Sequence, residues 1–161
     1  MLRSEVLNAA ATLVGQNLGA KLPDRAEKSV RVAATYNAVF MLLVSVLFLI
    51  GAGPIVGFIN RDPDVEKVAV GALRIISLGY VFYGVGMVLT NAFNGAGDTL
   101  TPTIINLFCF WAFQIPLAWF LALRLNIGPS GVFWAILITE TTITGVSFVL
   151  FRRGKWKQVT V

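Results

Sequence analysis

Long apolar runs separated by short polar joints organise this chain, and run length rather than amphipathic periodicity is the primary signal. A helix that crosses the hydrocarbon core of a bilayer needs about 20 mostly apolar residues at a rise of about 1.5 Å each. Four stretches reach that length, approximately Ala33 to Ile55, Val70 to Ala92, Pro102 to Leu123 and Ser130 to Phe151. A fifth, Val6 to Ala20, is shorter and holds Asn8, Gln16 and Asn17, so it reads as part of a helix. The first 20 residues lack the basic start and compact apolar core of a secretory signal. The expected fold class is an all-α membrane protein, with four full transmembrane helices plus an N-terminal partial helix. Residues 1–161 form one membrane domain in this reading, with a basic tail over 152–161.

Composition agrees, at 57% hydrophobic and 13% charged residues, where soluble domains carry about 25% charged. Histidine is absent from the sequence, which removes the commonest general base and metal ligand. One cysteine, Cys109, excludes an internal disulfide and a cysteine-based zinc site, and it is most simply a small apolar filler. With no nucleophile pair or metal cluster, no catalytic residue, metal or cofactor is expected, and the chain does not read as an enzyme. The net charge of +5 raises the question of nucleic acid. The basic residues stand at the ends of apolar runs, with no aromatic-interleaved patch, so membrane lipid is the expected partner and nucleic acid is not.

Lysine and arginine in short loops set membrane orientation. Lys21, Arg25, Lys28 and Arg31 follow the partial helix, and Arg152, Arg153, Lys155 and Lys157 lie in the tail, which places both segments on the cytoplasmic side. Arg61, Lys67 and Arg74 near the loop NRDPDVEK, and Arg124 after the third full span, fall outside. Alternation of the spans puts both basic segments on one face. A bacterial inner membrane with the C-terminus in the cytoplasm is the expected location. Asp62, Asp64 and Glu66 read as a solvated turn around Pro63.

Polar residues inside the spans are the candidate chemistry, because lipid does not solvate them. Glu140 is the one carboxylate inside a full span, near its midpoint, with Thr144, Ser147 and Thr141 making a polar stripe beside it. An acidic side chain there costs on the order of 3 kcal/mol on insertion scales, so it faces protein or water. It is a candidate ion-coupling residue, with a hydrogen-bonded buried acid and a structural ion pair as alternatives. In the second span Tyr80, Gly84, Met87 and Asn91 share a face, with Tyr83 at its edge. Such a face either holds a flat cation by aromatic and amide contacts or packs helices together. The third span offers Asn106, Gln114 and Pro116. Pro116 frees the carbonyl of Ala112, and is expected to kink the helix, beside a transport path or as an ordinary membrane-helix feature. Asn37, Met41 and Ser45 in the first span read as packing.

The joint FNGAGDTLTP, residues 93–102, separates two long uncharged runs. Asn94-Gly95 suits a helix end, Asp98, Thr99 and Thr101 suit a cap, and Pro102 suits the start of the next helix. These residues read as a tight helical-hairpin turn, or as a gate at a transport path. Together with VGQNLGAKLPDRAEKS, residues 14–29, the joint resembles the two cytoplasmic loop signatures of the multidrug and toxic compound extrusion (MATE) family. Those signatures are GQxLGA before a basic loop, and a small GxGDT-P turn. The residues that match are Gly15, Gln16 and Gly19 in the first, and Gly95, Gly97, Asp98 and Pro102 in the second. The two intervening spans, the helix entry IGPSGVFWAI and the tail RRGKWK also fit.

The resemblance implies a secondary transporter that exports organic cations or other amphipathic small molecules in exchange for Na+ or H+. Family members have twelve helices in two lobes with alternating access. This chain resembles the C-terminal portion of the second lobe, from the end of helix eight through helix twelve. The missing N-terminal lobe, or another copy, is then the implied partner, and Met1 marks an internal start, a fragment boundary or a true half-protein. Many members carry an acidic residue fifteen positions before the turn aspartate, where this sequence has Tyr83. Coupling then rests on Glu140 or on the other lobe. Alternatives are a non-transporting assembly or regulatory module, and a lipid-linked oligosaccharide flippase, for which Arg74 is the one candidate cation inside a span.

Overall fold

The computed structural model describes residues 2–60 and 62–158, with side chains from Ala10 to Lys157. Arg61, residues 159–161 and the side chain of Asn8, used above for the outer loop, the tail and the partial helix, lie outside the described residues. The described residues form helices α1 (Leu2–Gly19), α2 (Pro23–Ile59), α3 (Pro63–Leu78), α4 (Tyr80–Gly95), α5 (Leu100–Arg124) and α6 (Pro129–Arg153). A 3-10 turn, Lys155–Gln158, follows.

Helix α2, at 37 residues, is longer than its apolar run because its polar first turns are helical too. Pro23 opens it and Asp24 lies in its first turn, where a carboxylate suits the helix dipole. Asp62 caps α3, accepting hydrogen bonds from the backbone of Asp64 at 3.0 Å and Val65 at 3.5 Å. That acidic joint is a helix start.

Helices α2, α5 and α6 are each long and apolar enough to cross a membrane. The second expected span is two helices, α3 and α4, bent by 52°. The break at Gly79 lies where α2 makes a contact with it. The Ser45 hydroxyl of α2 donates to the carbonyl of Ser77 at 2.7 Å, so a side chain from another helix enters the backbone ladder two residues before Gly79. Helix α5 runs through Pro116 as one helix of 25 residues, with π-helical geometry over Leu107–Gln114 and Phe120–Arg124. A wide turn ahead of a proline absorbs the hydrogen bond that the proline cannot make.

Helix α4 sits at the centre, against α1, α2 and α6. At its C-terminal end Val14, Val30, Leu89, Phe93 and Phe151 close a core around Trp156. Trp156 is 1% exposed, stacks on Phe151 with ring centroids 4.8 Å apart, and donates its indole hydrogen to the Phe151 carbonyl at 2.9 Å. The tail as far as Lys157 is therefore part of the folded end. Lys157 pairs with Glu27 at 2.5 Å, which ties the tail to the first basic segment. A smaller cluster of Ile105, Cys109 and Ile143 joins α5 to α6, with Cys109 buried as a filler.

Candidate functional site

A polar cleft of about 300 Å³ opens between α4, α5 and α6. Helix α4 lines it with Tyr83, Met87, Thr90, Asn91 and Asn94, joined by the bare backbone of Gly86. Helix α5 contributes Asn106, Phe110 and the ring of Pro102, and α6 contributes Glu140 and Ile143. A second cavity of about 150 Å³ lies against Tyr80, Gly79 and Leu137. Tyr83 and Glu140 line both, so they stand at the divide. Glu140 is half-buried and is the one acidic residue lining either cavity among the described residues. Among the described residues no lysine or arginine lines them.

The sequence positions divide accordingly. Tyr83, Met87, Asn91, Asn106 and Glu140 meet in the cleft. Tyr80 belongs to the smaller cavity, where its ring meets Phe48 edge-on at 5.9 Å. Gln114 is two turns beyond Asn106 and does not line the cleft; its Oε1 is buried without a hydrogen-bond partner among the described residues. Pro116 is exposed further along α5. Arg74 is exposed in an outer groove with Glu66 and Lys67.

Two groupings need correction. Gly84 does not share the cleft face of α4; it lies against Met41, and its carbonyl accepts a hydrogen bond from Asn37 Nδ2 at 2.7 Å. The cleft face is rotated towards Tyr83, Met87, Thr90 and Asn94, steps of four, three and four that the sequence also contains. A stripe that starts at Tyr80 passes over Thr90 and Asn94, which the cleft face includes. The polar stripe of α6 also splits. Thr144 donates to the carbonyl of Phe82 at 2.7 Å, Thr141 to its own helix at Leu137 at 2.8 Å, and the buried Ser147 hydroxyl has no partner among the described residues. Only Glu140 of that stripe reaches the cleft.

Donors on α4 are partly committed. Asn91 Nδ2 donates to the Met87 carbonyl at 2.8 Å and the Thr90 hydroxyl to the Gly86 carbonyl at 2.7 Å. Neutral oxygens, aromatic rings, a thioether and one carboxylate suit a monovalent cation, a proton or a flat organic cation.

The joint at the end of α4 is a tight turn with a division of labour different from the expected one. Gly97, at φ 81, takes the left-handed conformation, while Gly95 is still helical. Asp98 N–H bonds the Phe93 carbonyl at 2.9 Å and Gly97 N–H that of Asn94 at 3.0 Å, the paired closure that ends a helix on a left-handed glycine. Asp98 then accepts from the backbone of Thr101 at 3.1 Å and from its hydroxyl at 2.7 Å, opening α5. Gly15 packs onto Gly95, whereas Gln16 and Gly19 are exposed.

A family model described as MatE matches residues 3–120. The chain is 30% identical over 152 residues to a probable multidrug resistance protein NorM of Aromatoleum aromaticum, covering 92% of this chain and 33% of that protein. It is 26% identical over 159 residues to the multidrug and toxin extrusion protein 1 of Mus musculus, covering 98% of this chain and 28% of that one. A solved structure, the inward-facing conformation of a multidrug resistance MATE family transporter of the MOP superfamily, superposes with a TM-score of 0.86. At 19% identity, over 96% of this chain and 36% of that one, this likeness shows the fold. The chain spans about a third of the length of the curated relatives it matches.

Proposed function

The chain belongs to the MatE family, and on that premise we propose that it is the C-terminal portion of the second lobe of a cation-coupled multidrug exporter. It works with the remaining lobe, or with another copy, in exporting organic cations or amphipathic small molecules against Na+ or H+. One observation carries the reading: a carboxylate, Glu140, faces a cleft of otherwise neutral polar and aromatic groups inside an apolar bundle.

In this reading Glu140 takes a proton or a sodium ion, and Tyr83, Met87, Asn91 and Asn106 contact the cation or the substrate. Occupancy by one cation lowers affinity for the other, which is the elementary requirement of exchange. Tyr80 lines the adjoining cavity, and Gln114 with Pro116 marks the part of α5 that flexes, supported by the π-helical turns around them. The turn of Gly95, Gly97, Asp98 and Pro102 stands at the cytoplasmic edge with Gly15, Gln16 and Gly19, and the C-terminus is cytoplasmic in a bacterial inner membrane. The Lys157–Glu27 pair supports this orientation, since it puts both basic segments at one end of the bundle.

The test is efflux of an organic cation from cells or vesicles by the two-lobed transporter containing this chain, with Glu140 and with Glu140→Gln, across pH and sodium concentration. Glu140→Gln is expected to insert normally, lose about tenfold in efflux and lose its dependence on the driving cation. Unchanged efflux with an unchanged dependence on pH and sodium overturns the role given to Glu140.

A further inference from the structure

On the side of α4 away from the Glu140 cleft, a groove of about 340 Å³ runs between α2 and α6. Its rim is charged, with Arg31 and Glu27 on α2 and Arg152 on α6. Its floor is apolar, with Leu89, Phe148 and Val85 among the lining residues. Arg31 stands two residues before the apolar run of α2 and Arg152 directly follows that of α6, so the rim lies at the membrane edge. From Leu89 to Val85 the floor descends one helical turn, about 6 Å, towards the apolar middle of the helices.

We propose that this groove binds one anionic phospholipid, its phosphate held between the guanidinium groups of Arg31 and Arg152 and the start of an acyl chain lying on Leu89 and Val85. Guanidinium groups present paired donors that match phosphate oxygens. Arg152 has no carboxylate partner among the described residues, and its guanidinium sits over the Phe148 ring at 5.9 Å, on the groove wall. Arg31 bonds Glu27 through one nitrogen, and its side chain stays 73% exposed, so further donors remain. Glu27 is also engaged by Lys157, which Asp24 approaches to 3.6 Å. On the rim Arg31 and Arg152 outnumber Glu27, whose charge Lys157 also offsets from beside the groove, and the rim attracts an anion. An organic cation is repelled there, so this groove is separate from the proposed transport cleft. Basic pockets between helices at a membrane edge suit anionic headgroups, whereas a free phosphate gains nothing from the apolar floor.

The experiment is native mass spectrometry of the full chain in detergent micelles, titrated with phosphatidylglycerol, phosphatidylcholine or inorganic phosphate. Phosphatidylglycerol is expected to be retained at least tenfold better than phosphatidylcholine. The double variant Arg31→Gln/Arg152→Gln loses that preference, while Arg153→Gln, outside the groove, changes it less than twofold. Ala34→Phe fills the lower floor and leaves both arginines in place; retention of the lipid falls with the helical circular dichroism unchanged. Equal retention of phosphatidylcholine, an equal loss in Arg153→Gln, or displacement of the lipid by millimolar phosphate each overturns the proposal.

Discussion

The backbone of Ala11 in α1 lies so close to Gly95 at the end of α4 that a Cβ on Gly95 would stand 2.7 Å from the Ala11 Cα. One turn further along α1, a Cβ on Gly15 would stand 3.1 Å from the carbonyl oxygen of Gly95. The two loop signatures, far apart in sequence, therefore meet where Gly15 packs on Gly95. Gly95→Ala forces backbone apart at that crossing, and is expected to destabilise the chain by about 1–3 kcal/mol. Gly145→Ala, whose Cβ meets nothing within 4 Å, is the matched control and is expected to change little. Thermal unfolding of both variants in micelles checks the difference, and equal midpoints count against the close crossing.

Asn37 ties α2 to α4, donating to the Gly84 carbonyl from a residue that is 5% exposed. Interhelical hydrogen bonds within bilayers average about 0.6 kcal/mol, and reach about 1.7 kcal/mol at most. Asn37→Ala is expected to cost about 1 kcal/mol, read by denaturant unfolding in bicelles. A cost indistinguishable from that of Tyr36→Ala, on the exposed face of the same helix, removes the bond from the account of stability.

Lys21 ends α1 in the left-handed conformation, at φ 59, with the Leu22 N–H bonding the Asn17 carbonyl at 2.8 Å. A side chain in that conformation costs about 1 kcal/mol, and glycine avoids the cost. Lys21→Gly is expected to stabilise the chain by roughly 0.5–1 kcal/mol in the same unfolding assay. Lys28→Gly, placed inside α2, is expected to do the opposite.

The docked tail depends on pH through one ion pair. The Lys157 ammonium beside Glu27 holds the carboxyl below its ordinary value of 4.5, and Glu27 in turn raises Lys157 above 10.5. The depressed carboxyl contributes stability above pH 4.5, lost as the pH falls through its folded value. The raised ammonium contributes stability below pH 10.5, lost as the pH rises through its own. Trp156 fluorescence is expected to stay constant between those limits and to shift towards the exposed spectrum outside them. Lys157→Ala costs about 1 kcal/mol or less and flattens the acid limb. Trp156→Ala, which empties a fully buried site, costs about 3 kcal/mol or more.

Much of the architecture was legible in the chain. An apolar run of 20 or more residues leaves few structures other than a spanning helix, because lipid offers the backbone no hydrogen bonds. Asn37, Met41 and Ser45 were readable as a contact face because helical spacing aligns them, and all three are buried. The rotation of α4 was not legible. Tyr80, Gly84, Met87 and Asn91 obey the same spacing as Tyr83, Met87, Thr90 and Asn94, and spacing alone does not say which stripe meets the cleft. The choice falls to α2 and α6, where Asn37 seizes the Gly84 carbonyl and the Thr144 hydroxyl fills the space beside Gly86.

The sequence by itself determined that the chain is helical and membrane-embedded, where its polar joints fall, and which family its loop signatures resemble. These are local matters of run length, turn chemistry and motif. Tertiary structure alone decided that the second span breaks at Gly79, that Gly97 rather than Gly95 takes the left-handed turn, and that Trp156 folds back into the core. It also decided which polar side chains share the cleft with Glu140 and which are spent holding helices together. The Gly79 break, the burial of Trp156 and the make-up of the cleft each depend on partners distant in sequence, and close approach between backbones leaves no periodic trace along the chain.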